Sequence, residues 1–422
     1  MTRRRPARAL GLFPRGGAVV VLAACLALPA GAAQQEEPPD PDLSTEGMRR
    51  AGPFYLRPFV ALKDAGYDDN IRLEGEGEAE SDVTATLGPG LDTLLLTGDR
   101  GGIFLSTEFD YVAFRDHSDL NHWNNYTRAR GIYLTKRAAL SLENRFISVR
   151  ERPNFEIDQR LRRDENIVTG AVRSLQDRRL GYRAFVRHRR IDYSRDEGDS
   201  EDVARRLNRR EATFSLTGEL RVRPKTTFLL EGVYARAEFD DSSEGRDTRA
   251  VSVLPGFRFD PSAAIQGEFK IGVISLEAPE RPQSDYHGTV GEARLSTRLG
   301  NRIRLKGTFE RDLRFSTLHE NLYYIRTHWT AAYEQFFSRR LSTQLLYGEG
   351  ENRYPEEVTR GGGEPFSGIR EDRITTYELS VRYRISDQFS LRARALRQER
   401  DSTDDFFDRD RNFYAFGSSY AF

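Results

Sequence analysis

The sequence predicts an all-β chain, a transmembrane antiparallel β-barrel of about 18 strands, on three observations. Side chains alternate between apolar and ionic with a period of two, connections alternate between short and long, and the final alternating segment ends in an aromatic residue. Composition agrees. Of 422 residues, 38% are hydrophobic and 31% charged, against roughly 45–50% apolar content in an ordinary globular domain. In a wide barrel only half the side chains meet lipid and the other half face water, so strict alternation at low mean hydropathy is the expected pattern. An aromatic share of 11% argues against disorder. A single Cys excludes a disulfide framework and Cys-based zinc sites.

Residues 1–33 read as a signal peptide. Arg3, Arg4, Arg5, Arg8 and Arg15 make a basic start, Gly16 to Leu28 is apolar, Pro29 breaks the stretch, and Ala30-Gly31-Ala32 supplies a small-x-small cleavage pattern. Leu22-Ala23-Ala24-Cys25 also resembles a lipobox, which would make Cys25 a lipidation site. The better cleavage site after it favours the signal peptide. Export through the inner membrane to a Gram-negative outer membrane is the expected localisation. Residues 34–52, acidic and Pro-rich, read as a flexible periplasmic leader, and 53–422 as the barrel. Lysine is scarce, with Arg supplying 60 of the 65 basic residues. Loss of five arginines with the signal leaves 60 basic against 65 acidic residues, a net charge of −5. That excludes a nucleic-acid binder, which needs a basic excess.

Each strand carries the alternation. Along Arg302–Phe315 one series is Ile303, Leu305, Gly307, Phe309, Leu313 and Phe315, with Arg311 the exception; the other is Arg302, Arg304, Lys306, Thr308, Glu310, Asp312 and Arg314. On a strand the two series face opposite sides. Ala212 to Val222 and Tyr377 to Tyr383 repeat the pattern. Eight short turns, from Gly98–Gly102 to Ser386–Gln388, interleave with nine longer polar loops, among them Tyr67–Ser81, Asp116–His122, Ser316–Glu320 and Glu349–Glu371. Those 17 connections give about 18 strands, and 16 also fits. A soluble sandwich or propeller would show a bulkier buried face and similar turns at both ends. Trp123, Tyr126, Tyr133, Trp329, Tyr333, Tyr414 and Tyr420 suit interface girdles. The last segment aligns Asn412, Tyr414, Phe416, Ser418, Tyr420 and Phe422 on one face. Tyr420 and Phe422 are the expected signal to the barrel-assembly machinery, which joins outer-membrane lipid among the expected partners.

The first third adds a motif. Gly66-Tyr67-Asp68-Asp69-Asn70-Ile71 is followed by an acidic loop, then Ser81-Asp82-Val83 and Leu87-Gly88-Pro89-Gly90-Leu91. This order resembles the β-barrel porin type 2 family, over about Pro53 to Phe422, with the recognisable residues mostly in the first two strands. The resemblance implies an outer-membrane barrel. Some members accompany exopolysaccharide biosynthesis and export, which implies polysaccharide export components as partners. Within the motif Tyr67, Asp68 and Asn70 carry the likeness. Asp68, Asp69 and Asn70 read as a solvated loop ordered by Asx turns. The alternative joins them to Glu74, Glu76, Glu78 and Glu80 in weak calcium binding, without the spacing of a calcium loop.

The inward series sets the expected lumen: Arg302, Arg304, Lys306, Glu310, Arg314, Arg326, Arg382, Arg384, Arg392 and Arg394. Rings of Arg select anions, and Arg grips carboxylates bidentately. Equally, Arg and Glu on adjacent strands satisfy a polar lumen by themselves. No catalytic, metal or cofactor motif appears. His117 and His122 flank a loop with Asp116, Asp119 and Asn121, which leaves open an enzyme acting on lipid or polysaccharide. A plugged barrel serving as scaffold or adhesin, with the Glu349–Glu371 loop at the surface, is also open. Passage of an exopolysaccharide or other polar solute is the expected function.

Overall fold

The computed structural model describes residues 45–422 apart from 76, 153–155, 157–159, 176–178, 195–199 and 359–367, with no side chains for 200–203. The signal peptide, Cys25 and most of the leader lie outside the described residues. The chain runs through β1 (Arg49–Ala51), β2 (Phe54–Asp68), β3 (Asp82–Leu96), β4 (Gly101–Phe114), β5 (His122–Leu134), β6 (Ala138–Glu151), β7 (Leu161–Ser174), β8 (Leu180–Tyr193), a short helix α1 (Ser200–Leu207) and β9 (Arg209–Arg223). It continues through β10 (Thr226–Phe239), β11 (Thr248–Phe259), β12 (Ile265–Glu277), β13 (Tyr286–Leu299), β14 (Ile303–Phe315), β15 (Tyr323–Phe336), β16 (Leu341–Glu357), β17 (Ile369–Arg384), β18 (Phe389–Ser402) and β19 (Arg409–Ala421).

Each strand from β2 to β19 pairs antiparallel with its neighbour in sequence, and β19 pairs back onto β2, closing a barrel of 18 strands. Closure leaves no edge and pairs the backbone within the sheet, which is what permits a sheet to cross hydrocarbon. No described helix is long and apolar enough to cross a membrane; the strands do it. Leu105, Leu142, Val186, Leu216, Ile271 and Leu345 stand exposed on the outer face, while Asp92, Glu143, Arg189, Glu231 and Lys270 are buried on the inner one. Short turns lie at one end and longer connections at the other, which sets the first end periplasmic and the second extracellular.

Closure depends on close backbone approach and one irregularity. A Cβ at Gly66 would overlap the carbonyl of Tyr414 across the seam, so only glycine fits there. The register of β2 on β3 shifts between Leu62 and Gly66. Before it Lys63 shares the inward face of Arg57, and its Nζ lies 2.6 Å from Asp110 and 3.1 Å from Glu108; the bulge then reverses the faces, so that Tyr67 points outward and Asp68 is buried inside.

Four expectations need correction. Part of the leader is ordered: Arg49–Ala51 pairs with Leu56–Phe54. The Glu349–Glu371 segment is mostly wall, since β16 runs to Glu357 and β17 starts at Ile369. Above the membrane both faces of a strand are wet, so Glu349, Glu351 and Arg353 signalled loop where they extend a strand. Tyr126 is no girdle residue but lies inside, under Lys63 Nζ at 5.6 Å. Arg195–Ala204, one of the nine longer connections expected as polar loop, overlaps α1, whose Ala204 and Leu207 are buried in a cluster with Leu161, Ile191 and Tyr193.

One hairpin leaves the wall. β14 pairs with β13 only from Ile303↔Leu299 to Arg311↔Gly291, although β13 stays on β12 up to Tyr286↔Leu276. Past that point β14 and β15, paired to Phe315↔Tyr323, bend together into the lumen. Phe315 meets Phe239 of β10 edge-on at 5.0 Å, and Leu313 packs on the cluster of Leu276, Ala278, Leu322 and Tyr323. Behind the hairpin lies a cavity of about 180 Å³, walled by Leu254, Ile274, Leu276 and Val290. At the tip, Ser316, Asn321 and Leu322 are fully buried. Arg311 marks the parting. Its Nε donates to the Thr289 carbonyl at 3.2 Å and its Nη1 to the Thr327 hydroxyl at 2.6 Å. It thereby satisfies a carbonyl that the lost strand pairing leaves without its partner.

Candidate permeation pathway

Ionic ladders line the inner wall. Glu165 binds Arg163 and Arg189. Glu211 binds Arg209 at 2.7 Å and Arg189 at 3.2 Å, and Glu219 binds Arg183 and Arg258 at 2.6 Å each. Lys270 sits among Glu231 at 2.6 Å, Glu292 at 2.7 Å and Glu268 at 3.4 Å. Arg183 on β8 also reaches Glu268 on β12, at 3.4 Å. A contact between strands that far apart means the wall curls sharply here. These pairs satisfy charge with charge, so each burial is compensated locally.

The expected lumen residues divide by height. Arg304 and Lys306 share Glu334 at 3.4 and 3.1 Å, and Arg392 and Arg394 share Glu378 at 3.2 and 3.1 Å. Arg382 stands opposite Arg392 in the ladder, so like charges face each other near the periplasmic end. Arg302 falls in the β13–β14 turn and Arg384 ends β17; both are exposed at the rim. Glu310, Arg314 and Arg326 belong to the other end, in or just below the inward hairpin. Arg314 binds Glu310 at 2.7 Å and Asp312 at 2.8 Å. Lys306, Arg57 and Arg392 side chains towards the periplasm are 38%, 29% and 26% exposed, beside the more buried Arg183 and Arg394, whereas Arg314 and Arg370 at the other end are only 2% and 0% exposed. The path is open to water below and packed above.

Loops pack the extracellular mouth, and sequence reasoning missed their key residues. From the β6–β7 connection, Glu156 reaches the tip of the β14–β15 hairpin. Its carboxylate accepts from the Ser316 hydroxyl at 2.5 Å and from the Thr317 amide and hydroxyl at 2.6 and 2.7 Å. Three arginines from three further connections donate to the tip's carbonyls. Arg206 bonds Thr317 at 2.9 Å, Arg246 bonds Ser316 at 2.5 Å and Leu322 at 3.2 Å, and Arg281 bonds His319 at 3.1 Å. Ser284 reaches Glu356 at 2.7 Å, over the point where the hairpin left the wall. Nearer the seam, Arg152 and Arg160 donate to the Ile71 carbonyl at 2.6 and 3.3 Å. Burial depresses the Arg160 and Arg246 guanidinium groups to about 10, with nearby Arg411 and Arg281 adding repulsion. Arg311 was the only irregularity in the sequence that pointed here.

The family-like motif proves to be seam hardware rather than a solvated loop. Tyr67 faces outward. Asp68 is buried and binds Arg411 of β19 at 2.6 Å, Asp69 accepts from the Asn412 amide at 2.6 Å, and Asn70 donates to the Asp410 carbonyl at 2.9 Å. First strand and last strand are thus locked at their extracellular ends. At the periplasmic end the Phe422 amide donates to the Pro58 carbonyl at 2.9 Å, and the Tyr420 ring stands 4.7 Å from that of Phe422.

The two histidines considered for catalysis do structural work. His117 Nδ1 lies 2.9 Å from Asp82 and Nε2 3.2 Å from Glu80, and the Asp82 hydrogen bond holds its pKa above the ordinary value. His122 is buried, its Nδ1 2.7 Å from the Leu120 carbonyl. Among the described residues no group of three His, Cys, Asp or Glu side chains is arranged to hold a metal.

The fold is similar to solved porins. OpdK from Pseudomonas aeruginosa matches at 10% identity and a TM-score of 0.47, over 87% of this chain and 98% of that one. OpdO from the same organism matches at 13% and 0.47, over 87% and 97%. A BenF-like porin from Pseudomonas fluorescens Pf-5 matches at 11% and 0.46, over 87% and 98%. No curated protein matches the chain by sequence. The profile of the family described as Putative beta-barrel porin 2 matches residues 40–418, and the chain belongs to that family: it is an outer-membrane β-barrel of the porin class, a channel rather than an enzyme.

Proposed function

We propose that the barrel passes a hydrophilic solute, with an exopolysaccharide or a fragment of one as the cargo class, along its ionic inner face. The observation that supports this reading best is the inner wall itself. Charged residues line it from the periplasmic rim to the hairpin, and several near the periplasm, Lys306, Arg57 and Arg392 among them, are open to water. Such a wall offers hydroxyl-rich or charged solutes replacement hydrogen bonds without binding any one of them tightly. Delivery to the membrane by a cleavable signal peptide, insertion through recognition of Tyr420 and Phe422, and supply by polysaccharide export components complete the proposal.

Reconstitution in planar bilayers tests it. Stepwise conductance that oligosaccharides block in a concentration-dependent way is the expected result. The packed mouth favours a second reading, a plugged barrel that presents its loops as a scaffold. Persistent electrical silence, including after loosening of the mouth, would select that reading.

A further inference from the structure

Arg246 is a buried cation with an incomplete set of partners. It is 1% exposed and lies over the Phe239 ring at 5.5 Å. Among the described residues its hydrogen-bond acceptors are the Ser316 and Leu322 carbonyls, both met by Nη2, while Nε and Nη1 meet none. A carbonyl accepts from the guanidinium but brings neither a countercharge nor the paired oxygens that a carboxylate presents to its planar fork. Glu156 and Glu244 are near enough to favour the charge, yet burial and the neighbouring Arg281 and Arg206 outweigh them. The closed mouth therefore holds a guanidinium whose natural partner, an oxyanion, is absent from its bonding shell.

The hairpin that supplies those carbonyls has somewhere else to go. The register that stops at Gly291↔Arg311 continues on paper as Thr289 opposite Leu313 and His287 opposite Phe315. The inner-outer alternation of β14 runs unbroken through Asp312, Leu313, Arg314 and Phe315, as a wall strand requires. The β13 segment Tyr286–Val290 has no β14 partner along that edge, and Arg311 occupies its Thr289 carbonyl as a placeholder.

We propose that Arg246 is a receptor for an oxyanion carried by the solute, with a uronate-type carboxylate as the fitting class. In binding, the carboxylate displaces the Ser316 and Leu322 carbonyls and so removes two of the bonds that hold the tip; the bonds to Glu156, Arg206 and Arg281 are given up as the hairpin zips onto β13, which completes the wall and clears the mouth. No covalent step is involved. This deepens the channel reading above and rests on it for its physiological meaning.

The test uses the full mature chain in lipid bilayers and a second readout that does not depend on conduction. Thr289→Cys with Leu313→Cys forms a disulfide only when the hairpin is zipped. Oligogalacturonate should raise the yield of that cross-link several-fold, and should raise conductance in parallel, whereas uncharged maltooligosaccharides of equal length should do neither. Arg246→Gln should abolish both responses and Arg246→Lys should retain part of them; heat-modifiable migration on gels confirms that each variant is a folded barrel. A response equal for charged and neutral sugars, or one undiminished in Arg246→Gln, overturns the proposal. Cross-linking that responds to oligogalacturonate in a barrel that never conducts supports the receptor and overturns the channel reading instead.

Discussion

Arginines of the wall and arginines of the mouth are bonded to different oxygens. In the wall, Arg183, Arg189, Arg209 and Arg258 end on carboxylates. At the mouth, Arg206, Arg246, Arg281 and Arg160 donate to backbone carbonyls of neighbouring loops. The difference teaches how one residue type serves two purposes. A guanidinium on a carboxylate cancels charge and stiffens a permanent structure. One on a carbonyl ties a loop down without bringing a countercharge to the bond, and it lacks the two-oxygen grip of a carboxylate, so that contact is easier to exchange.

The largest effect should follow from breaking a wall ladder. Lys270→Met removes the cation that Glu231, Glu268 and Glu292 share; Glu268 keeps Arg183 and Arg258 and Glu292 keeps Arg294, but buried Glu231 is left with the Ser215 hydroxyl. Loss of one member of a buried ionic cluster costs about 3–5 kcal/mol. Denaturant unfolding of the refolded barrel, followed by heat-modifiable migration, should show a lowered midpoint; an unchanged midpoint would mean water already compensates these acids.

A smaller effect is expected at the mouth. Glu156→Gln keeps the shape but weakens the bonds to Ser316 and Thr317, at a cost of about 1–2 kcal/mol. Barrel stability should be unaffected, while open probability in bilayers rises roughly tenfold, since about 1.4 kcal/mol is a factor of ten. If unfolding shifts as much as for Lys270→Met, the mouth is part of the permanent structure and the contrast drawn above fails.

The smallest effect concerns pH at the loop after β4. The folded state raises the His117 pKa above 6.5 through Asp82, so protonated His117 stabilises the loop. That contribution is complete below pH 6.5 and is lost as pH rises through the raised value; the hydrogen bond to Asp82 survives as a neutral one. Hydrogen exchange over residues 115–121, corrected for intrinsic rates, should therefore quicken slightly as pH rises above 6.5 and the imidazole titrates. In His117→Asn the corrected rate should be flat.

Much of the barrel was legible because alternation reports burial directly. Outward Leu305 and inward Lys306 differ in chemistry because they differ in solvent, and a period of two needs no tertiary knowledge to read. The turns fell where the pattern broke. What could not be read is the departure of β14 from the wall, since Leu313 and Phe315 look the same whether they face lipid or the inner side of β10 and β12. Arg311 alone disturbed the series, and its meaning requires knowing that Thr289 has lost a partner. The motif around Asp68 and Asn70 misled for a related reason. Asp and Asn favour exposed turns, and only the arrival of Arg411 and Asp410 from the far end of the chain buries them. The mouth was illegible because Glu156, Arg246 and Ser316 come from three separate connections.

The short strand β1 has a consequence for whoever handles the protein. Ala51 sits beside Phe54 and Arg49 beside Leu56, on the same flank of β2 that β19 occupies from Phe59 onward. With Phe422 bonded at Pro58, the berth along that flank is taken from both directions. A peptide appended after Phe422 would have to turn away at once or evict the N-terminal ribbon, so an affinity tag at that terminus disturbs the barrel where its two ends meet.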